Sequence, residues 1–426
     1  MDRTADVVVI GAGIAGTATA YYLAKGGAKV IVCEKGEIAG EQSSRNWGFV
    51  RQQGRDPAEI PLMMEANKIW RGLERELNAD LEWLSAGNMV TFDNDEEAAG
   101  WEQWRQTAAE FGLPAQILSR SELDAITPGN AFDCQGAIFT ENDGQAEPTK
   151  VTAALARAAE GRGTEFLTHC AVLEVETSAG AVSGVVTEQG VIRAPVVVCA
   201  AGAWSGRMLR TLGLKLPQMW IQGSVARTTP GPIVSPTAPW TGVAFRQRRD
   251  GTFNIATRSA DHDLTLESIL NFPAFAGSFA RNKRDIKLNL NRLSFDLLGG
   301  SFSKSALARE LTTHRILDPE PNHKVLNHVL SELHRLLPST AEVEIERTWA
   351  GYVDMIPDML PALDALEQPS GLVLATGFSG HGFGMGPIVG RLISELILRG
   401  KPSLDLSAFR FSRFSDGTKL TPHSVV

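Results

Sequence analysis

Cysteine is scarce in this chain and tyrosine scarcer, with four Cys and three Tyr among 426 residues. Cys33, Cys134, Cys170 and Cys199 stand far apart and form no CxxC pair. That excludes a disulfide framework and a thiolate zinc site, and no metal is expected. Basic charge is short as well: 41 Lys and Arg face 49 Asp and Glu, and a net charge of −8 disfavours the clustered basic face that nucleic acid requires. No apolar run reaches the ~18 residues of a membrane span. The first strand-like run begins almost at Met1, which leaves no room for a signal peptide. The expectation is a soluble, cytoplasmic protein with no transmembrane segment and no nucleic-acid partner. Internal repeats and low-complexity tracts are missing too.

Apolar residues and glycine are plentiful. At 43% hydrophobic the chain is able to bury a large core, and its length predicts two or three domains. Residues 7–34, VVVIGAGIAGTATAYYLAKGGAKVIVCE, run from a buried strand through Gly11-Ala12-Gly13-Ile14-Ala15-Gly16 into a helix, a second strand and a terminal acid. Gly11 permits the tight turn, Gly13 lets a pyrophosphate approach the backbone, and Gly16 lets helix and strand pack closely. The helix start offers unpaired N–H groups to phosphates, and Glu34 stands where a carboxylate accepts from a ribose diol. An acid there disfavours a 2′-phosphate. The motif does not distinguish NAD from FAD.

Further elements follow in an interleaved order. Helical periodicity is expected over 60–77, 95–111 and 148–159, with strands about AVLEVET, VSGVVTEQG and VVVC. The run Val196–Ala200 enters Ala201-Gly202-Ala203-Trp204, whose small residues allow backbone approach to a nucleotide. Strand-like runs dominate 218–257, with a hairpin turning at Asp250-Gly251, while 260–338 reads as irregular and helical. A second glycine-rich turn lies at 375–387, ATGFSGHGFGMGP, again between a buried strand and a helix, with Pro387 suited to the first helical turn and Gly400 to the stop. Such a backbone cradle suits a group that becomes negative on reduction, as a flavin's N1 and C2 carbonyl edge does. His381 in this turn reads either as a loop-geometry residue or as an acid or base.

Together, the first glycine motif, EKGEIAGEQSSRNWGFVR (34–51), VVVCAAGAWS (196–205), RTWAGYVDMIPDMLP (347–361) and ATGFSGHGFGMGP resemble the D-amino acid oxidase superfamily of FAD enzymes. Glycine oxidases, sarcosine oxidases and bacterial amino acid deaminases belong to it. IAGEQS, KIWRGLERELNADL and VAFRQRRDGTF are most similar to the L-amino acid deaminases, whose N-terminal membrane or export segment has no counterpart here. Gly384 stands where sarcosine oxidases carry a lysine.

The resemblance implies an α/β fold: a Rossmann-like, mainly parallel FAD-binding domain (1–80, 145–218 and 345–415) interleaved with an α+β substrate domain on a largely antiparallel sheet (81–144 and 219–344), with a helical insertion about 260–325. It implies that Gly11, Gly13 and Gly16 bind the pyrophosphate, Glu34 the ribose, and Ser43, Ser44 and Arg45 the diphosphate and ribityl region. Val172 would meet adenine, Gly202 and Trp204 would flank the cofactor, and Gly380, His381, Gly382, Phe383, Gly384 and Met385 would line the pyrimidine edge. The adjoining Ala12, Ile14, Ala15, Lys35, Gln42, Trp47, Gly48, Phe49, Ala201 and Gly377 complete the expected cofactor set. Covalent attachment in some members of the resembled family uses a cysteine shortly before the Pro-Asp pair or a histidine after the first glycine unit. The stretch RTWAGYVDMI before Pro357-Asp358 has no cysteine and SSRN holds no histidine, so a dissociable FAD is expected.

Family chemistry implies oxidation of a C–N bond in an amino acid or N-alkyl amino acid, by hydride transfer to flavin N5, with oxygen or a quinone as acceptor. A substrate carboxylate needs a planar bidentate cation, which favours arginine. Alternation puts Arg246 and Arg248 on one strand face, so register does not separate them. The resemblance to the deaminases, which present a carboxylate-binding arginine at this point, makes Arg246 the first candidate, and the resemblance to sarcosine oxidases makes Arg51 the second. Trp47, Trp349 and Tyr352 are candidate lining aromatics. Arg281, Lys283, Arg284, Lys287 and Arg292 mark the insertion as a subdomain capping the substrate entrance or, alternatively, a membrane or partner-docking face; a homo-oligomer is also possible. Competing readings are a flavin-bearing subunit of a larger complex and a flavin monooxygenase or NAD-linked dehydrogenase.

Overall fold

Val7–Ile10 (VVVI) and Val30–Cys33 (VIVC) are fully buried strands, as continuous β-branched runs require when both faces of a parallel sheet are covered. The computed structural model of the chain describes residues 3–235, 237–240, 242–282, 286–301 and 303–423. In the six-stranded sheet the order is Ala362–Ala365, Leu372–Thr376, Val196–Cys199, Val7–Ile10, Val30–Cys33 and Glu165–Leu167. Every pairing is parallel except the edge hairpin of Ala362–Ala365 with Leu372–Thr376. Helix Ile14–Lys25 (IAGTATAYYLAK) is buried almost all round, because helices Pro148–Glu160 and Gly382–Arg399 flank it. Close approach depends on small residues: a Cβ on Gly390 would stand 2.4 Å from the Ala18 backbone carbon.

The ten-stranded sheet is largely antiparallel. Its strand Met219–Thr228 pairs along its length with Ile345–Met355 and, at its far end, with Phe253–Thr257. Val243–Gln247 and Phe253–Thr257 form the expected hairpin, with Gly251 at φ 83° in the turn. Helices Ile60–Leu77, Asp95–Glu110 and Pro148–Glu160 fall within a residue of the expected 60–77, 95–111 and 148–159.

Two expectations are corrected. Helix Gly382–Arg399 begins inside the glycine-rich turn, so Pro387 lies within the helix rather than in its first turn; Gly400 does end it, at φ 69°. The stretch expected to be irregular and helical contains the parallel strands Ala260–Asp263 and Ile286–Asn289. Ala260–Asp263 reads ADHD, and its polar side chains are buried only because each finds a partner: Asp261 accepts from Asn289 and Asn322, His262 meets the Trp220 carbonyl, and Asp263 accepts from Tyr352. No hydrophobic alternation announces such a strand. Around it Ile269, Leu270, Phe272, Leu288, Leu290, Phe295 and Leu298 are exposed. Lys283 and Arg284 lie outside the described residues. No helix among the described residues is long and apolar enough to cross a membrane.

Candidate active site

A cavity of about 490 Å³ opens at the carboxyl ends of the parallel strands, where ligands of open α/β sheets bind, and extends to strands Met219–Thr228 and Ile345–Met355. At one end, helix Ile14–Lys25 starts at Gly13 with no side-chain cap from that residue and no acid in its first turn. Its positive end therefore remains available to phosphate. Ser43 Oγ accepts from Ile14 N at 2.8 Å, and Gly11, Gly13, Ile14 and Ala15 form the wall. Gly16 and Ala12 lie behind it. A Cβ on Gly16 would come within 2.0 Å of the Gly11 carbonyl, and Ala12 N donates to Glu34 Oε2 at 2.8 Å. Glu34 Oε1 accepts from Gly36 N at 2.8 Å, so the carboxylate is fixed at the strand end. Burial raises its pKa against those two N–H groups.

Around the middle, Lys35 Nζ meets Glu41 Oε1 at 2.7 Å and lies 4.8 Å from the Trp204 ring centroid. Arg45 Nη1 donates to the Ala350 carbonyl at 2.7 Å and pairs with Asp318. Gln42, with its amide oriented to suit its neighbours, donates to Asp354 Oδ1 at 2.9 Å and accepts from Ala203 N at 3.2 Å. Asp354 is pushed up to about 6 by burial. Val172, Ala201, Gly202 and Trp204 also reach the wall. Ser44 is off it, its hydroxyl donating to the Glu41 carbonyl.

At the other end, Trp47, Gly48, Phe49, Arg51, Arg55, Arg258, Tyr352, Gly380, His381, Gly382 and Phe383 converge. Burial and the neighbouring Arg55 hold Arg51 below the usual guanidinium range. His381 Nδ1 lies 3.0 Å from both oxygens of Glu59, and both residues are buried. Burial, and then Arg55, lower the His381 pKa. Tyr352 donates to Asp263, and its ring lies 5.7 Å from that of Trp220. Gly377 instead donates its N–H to Asp354 at 3.1 Å, the Gly384 carbonyl accepts from Trp70 Nε1 at 2.8 Å, and Met385 is core. Trp349 is off the wall and supports it, donating from Nε1 to the Arg45 carbonyl at 3.0 Å.

Arg246 is not at the cavity wall. It is 1% exposed and packs against the backbone of Gly48, whose Cβ would stand 2.8 Å from its guanidinium carbon. Its Nη1 donates to the Ala146 carbonyl at 3.1 Å, and its Nη2 lies 3.2 Å from Glu147 Oε2, which Arg248 also meets at 3.2 Å. The predicted shared face is real, but what the two arginines share is a buried carboxylate. Among the described residues, five arginines do line the cavity: Arg45 and Arg51, together with Arg55, Arg258 and Arg315, which the sequence does not single out. Of these, Arg55 acts on both Arg51 and His381, and Arg258 on Arg51.

Behind Arg51, Asp143 accepts from Gln52 N at 2.8 Å, Gln52 Nε2 at 3.0 Å and Gln53 N at 3.2 Å. Burial nevertheless pushes its carboxyl up to about 6. Its folded pKa thus exceeds the unfolded one, so the protonated form is favoured in the fold, and stability drains away as pH rises from about 4 through about 6. The Tm advantage of the parent over Asp143→Asn should therefore narrow across that window in a calorimetric pH series. A gap that widened would contradict this account.

Residues 6–396 match the family model described as DAO, FAD dependent oxidoreductase. The chain belongs to this family. It is 26% identical to the sarcosine oxidase subunit beta of Rhizobium meliloti, over 97% of this chain and 89% of that protein. It is likewise 26% identical to the glycine oxidase of Bacillus subtilis, over 97% and 98% of the two chains. The L-amino acid deaminase of Proteus myxofaciens, solved with anthranilate, superposes with a TM-score of 0.91 at 29% identity, covering 97% of this chain and 94% of that one. The cavity fits the DAO cofactor, FAD: a helix start with no acid in its first turn and a glycine at its N-cap lies at one end, a fixed acid closes the second strand, and a glycine turn opens a second helix at the other end.

Proposed function

We propose that this DAO-family enzyme oxidises the C–N bond of an amino acid or N-alkyl amino acid to an imine, which water hydrolyses. Bound FAD supplies a hydride acceptor at N5. On this reading Gly11, Gly13 and Gly16 shape the pyrophosphate turn, Ser43 stands beside it, Glu34 takes the ribose, and the 380–383 turn faces the pyrimidine edge. The cofactor is held without a covalent bond, since no cysteine lies between Arg347 and Pro357 and no histidine between Glu41 and Phe49.

The observation that carries the substrate reading is the convergence of Arg51, Arg55 and Arg258 on the cavity end where the 380–383 turn lies. Guanidinium groups there match a carboxylate in shape and charge. Trp47, Phe49 and Tyr352 give the same end apolar faces to pack the rest of the substrate. Holding the α-carbon in place supplies most of the rate enhancement in such chemistry. The sarcosine oxidase and glycine oxidase relatives, and the L-amino acid deaminase neighbour, act on substrates of this class by their names.

Anaerobic bleaching of the flavin by enantiomer pairs of amino acids and by N-methylated analogues, followed by reoxidation with oxygen or a quinone, tests the reading. Rapid bleaching by one enantiomer or by an N-methyl analogue is the expected result. No bleaching by any of them, with reduction by NADH or NADPH instead, would favour a different flavoenzyme class. A second reading is prompted by the relative named as a subunit: a flavin-bearing chain that works within an assembly. Turnover by the purified single chain decides against it.

A further inference from the structure

Two helices begin at the cavity end that carries the arginines, and each contributes the residue at its N-cap. Glu59 precedes helix Ile60–Leu77, and His381 precedes helix Gly382–Arg399. The two side chains meet, with both Glu59 oxygens 3.0 Å from His381 Nδ1. Glu59 is completely buried and His381 is 5% exposed, so the contact is dry. A buried carboxylate against an imidazole has two stable forms: imidazolium with carboxylate, or neutral imidazole donating from Nδ1–H.

The surroundings choose between them. The charged groups acting on the ring are Glu59, Arg55 and Arg51, two cations against one anion, and burial also disfavours a charged ring. The helix that starts at His381 places its positive end beside the ring as well. The resting state is therefore neutral imidazole, with Nδ1–H donated to Glu59. A neutral histidine has one donor and one acceptor nitrogen, so this leaves the Nε2 lone pair as the basic site of a ring that forms part of the cavity wall.

We propose that Glu59 is a positioning residue that fixes this tautomer, and that Nε2 of His381 takes the proton shed by the substrate amine. The inference rests on the amine-oxidation reading above. An amino acid arrives as an ammonium zwitterion, whereas hydride leaves readily only from the carbon of a neutral amine. One ammonium N–H bond breaks, its electron pair stays on nitrogen, and an Nε2–H bond forms. The ring becomes imidazolium, and the carboxylate of Glu59 balances the new charge. The proton then passes to water as the product departs.

Two substitutions at Glu59 separate its two contributions. Leucine removes both acceptor and charge, whereas glutamine keeps an acceptor oxygen and removes only the charge. Nitrogen NMR of the FAD-loaded protein with histidine-labelled side chains, His381 being assigned against His381→Asn, should show a neutral Nδ1–H ring in the parent. Glu59→Leu should release the ring to the Nε2–H tautomer and lower kcat/KM about 100-fold, the lower range for loss of a general base. Glu59→Gln should keep the tautomer. Its imidazolium loses the counter-charge, the ring pKa falls, and the acid limb of kcat/KM should move to lower pH by about one unit or more.

A Glu59→Leu protein with the parent's tautomer, or a Glu59→Gln protein with the parent's acid limb, overturns the proposal. If the leucine variant fails to retain FAD, the glutamine variant decides alone through its limb. Should no amine reduce the parent, the functional reading fails instead, and the nitrogen spectra still report whether Glu59 governs the ring.

Discussion

Arg258→Leu is expected to raise KM for the amino acid substrate roughly 10- to 100-fold with little change in kcat or Tm. Arg258 stands one residue past strand Phe253–Thr257, exposed to solvent at the cavity wall, and its charge acts on Arg51. A hydrogen bond to a charged group is worth about 1.5–3 kcal/mol, and interactions of a solvent-exposed guanidinium contribute little to folding stability. Binding that is equal in ground and transition states appears in KM rather than in kcat. Arg246→Leu should do the reverse. That substitution strips the buried Glu147 of one of its two cations and removes the donor to the Ala146 carbonyl, which destabilises the fold by about 3 kcal/mol, the lower end for a broken buried pair. Its folded fraction should bind substrate like the parent. Calorimetry and steady-state kinetics on both variants check the pair of expectations, and a raised KM with unchanged Tm for Arg246→Leu would return that residue to the site.

The contrast also explains what the sequence reveals. Residues 7–34 announce their turn, helix and acid because each glycine answers a local steric demand, and such demands are written in consecutive positions. Helix boundaries are legible for the same reason: Ile60–Leu77 has a strong apolar stripe and Gly400 a left-handed stop. Strand alternation gives the face on which Arg246 stands and not what covers that face: Glu147, 99 residues away, meets its guanidinium at 3.2 Å. Arg55 and Glu59 are missed from the other direction. The run GRDPAEI ahead of a helix has no apolar period to mark it as buried, yet Arg55, Asp56 and Glu59 all are. The remaining clue was the density of charge in a segment that follows the flavin-associated SSRNWGF. Strand Ala260–Asp263 is hidden because its burial depends on partners from distant segments, which periodicity does not encode.

Gly11→Val should leave a folded chain that does not hold FAD. Gly11 has φ 99°, a conformation that strains any side chain and a β-branched one most, and a Cβ there would meet the Ala200 carbonyl oxygen at 2.5 Å. That oxygen belongs to backbone at the end of strand Val196–Cys199, and Ala200 N itself donates to the Ile10 carbonyl at 3.0 Å, so the neighbour has little freedom to retreat. The turn must move instead. Strain of about 1–2 kcal/mol adds to an overpacking cost of about 1–3 kcal/mol. Because the same turn sets Gly13 and the first N–H groups of helix Ile14–Lys25 against the pyrophosphate, much of that sum should appear in the FAD dissociation constant, a loss on the order of 100-fold or more. The six-stranded sheet has ample buried area elsewhere, so circular dichroism should remain close to the parent's. Titration of apoprotein with FAD, read by the quenching of flavin fluorescence, measures the change. A valine variant that purifies yellow with the parent's affinity would mean that the pyrophosphate does not lie over this turn.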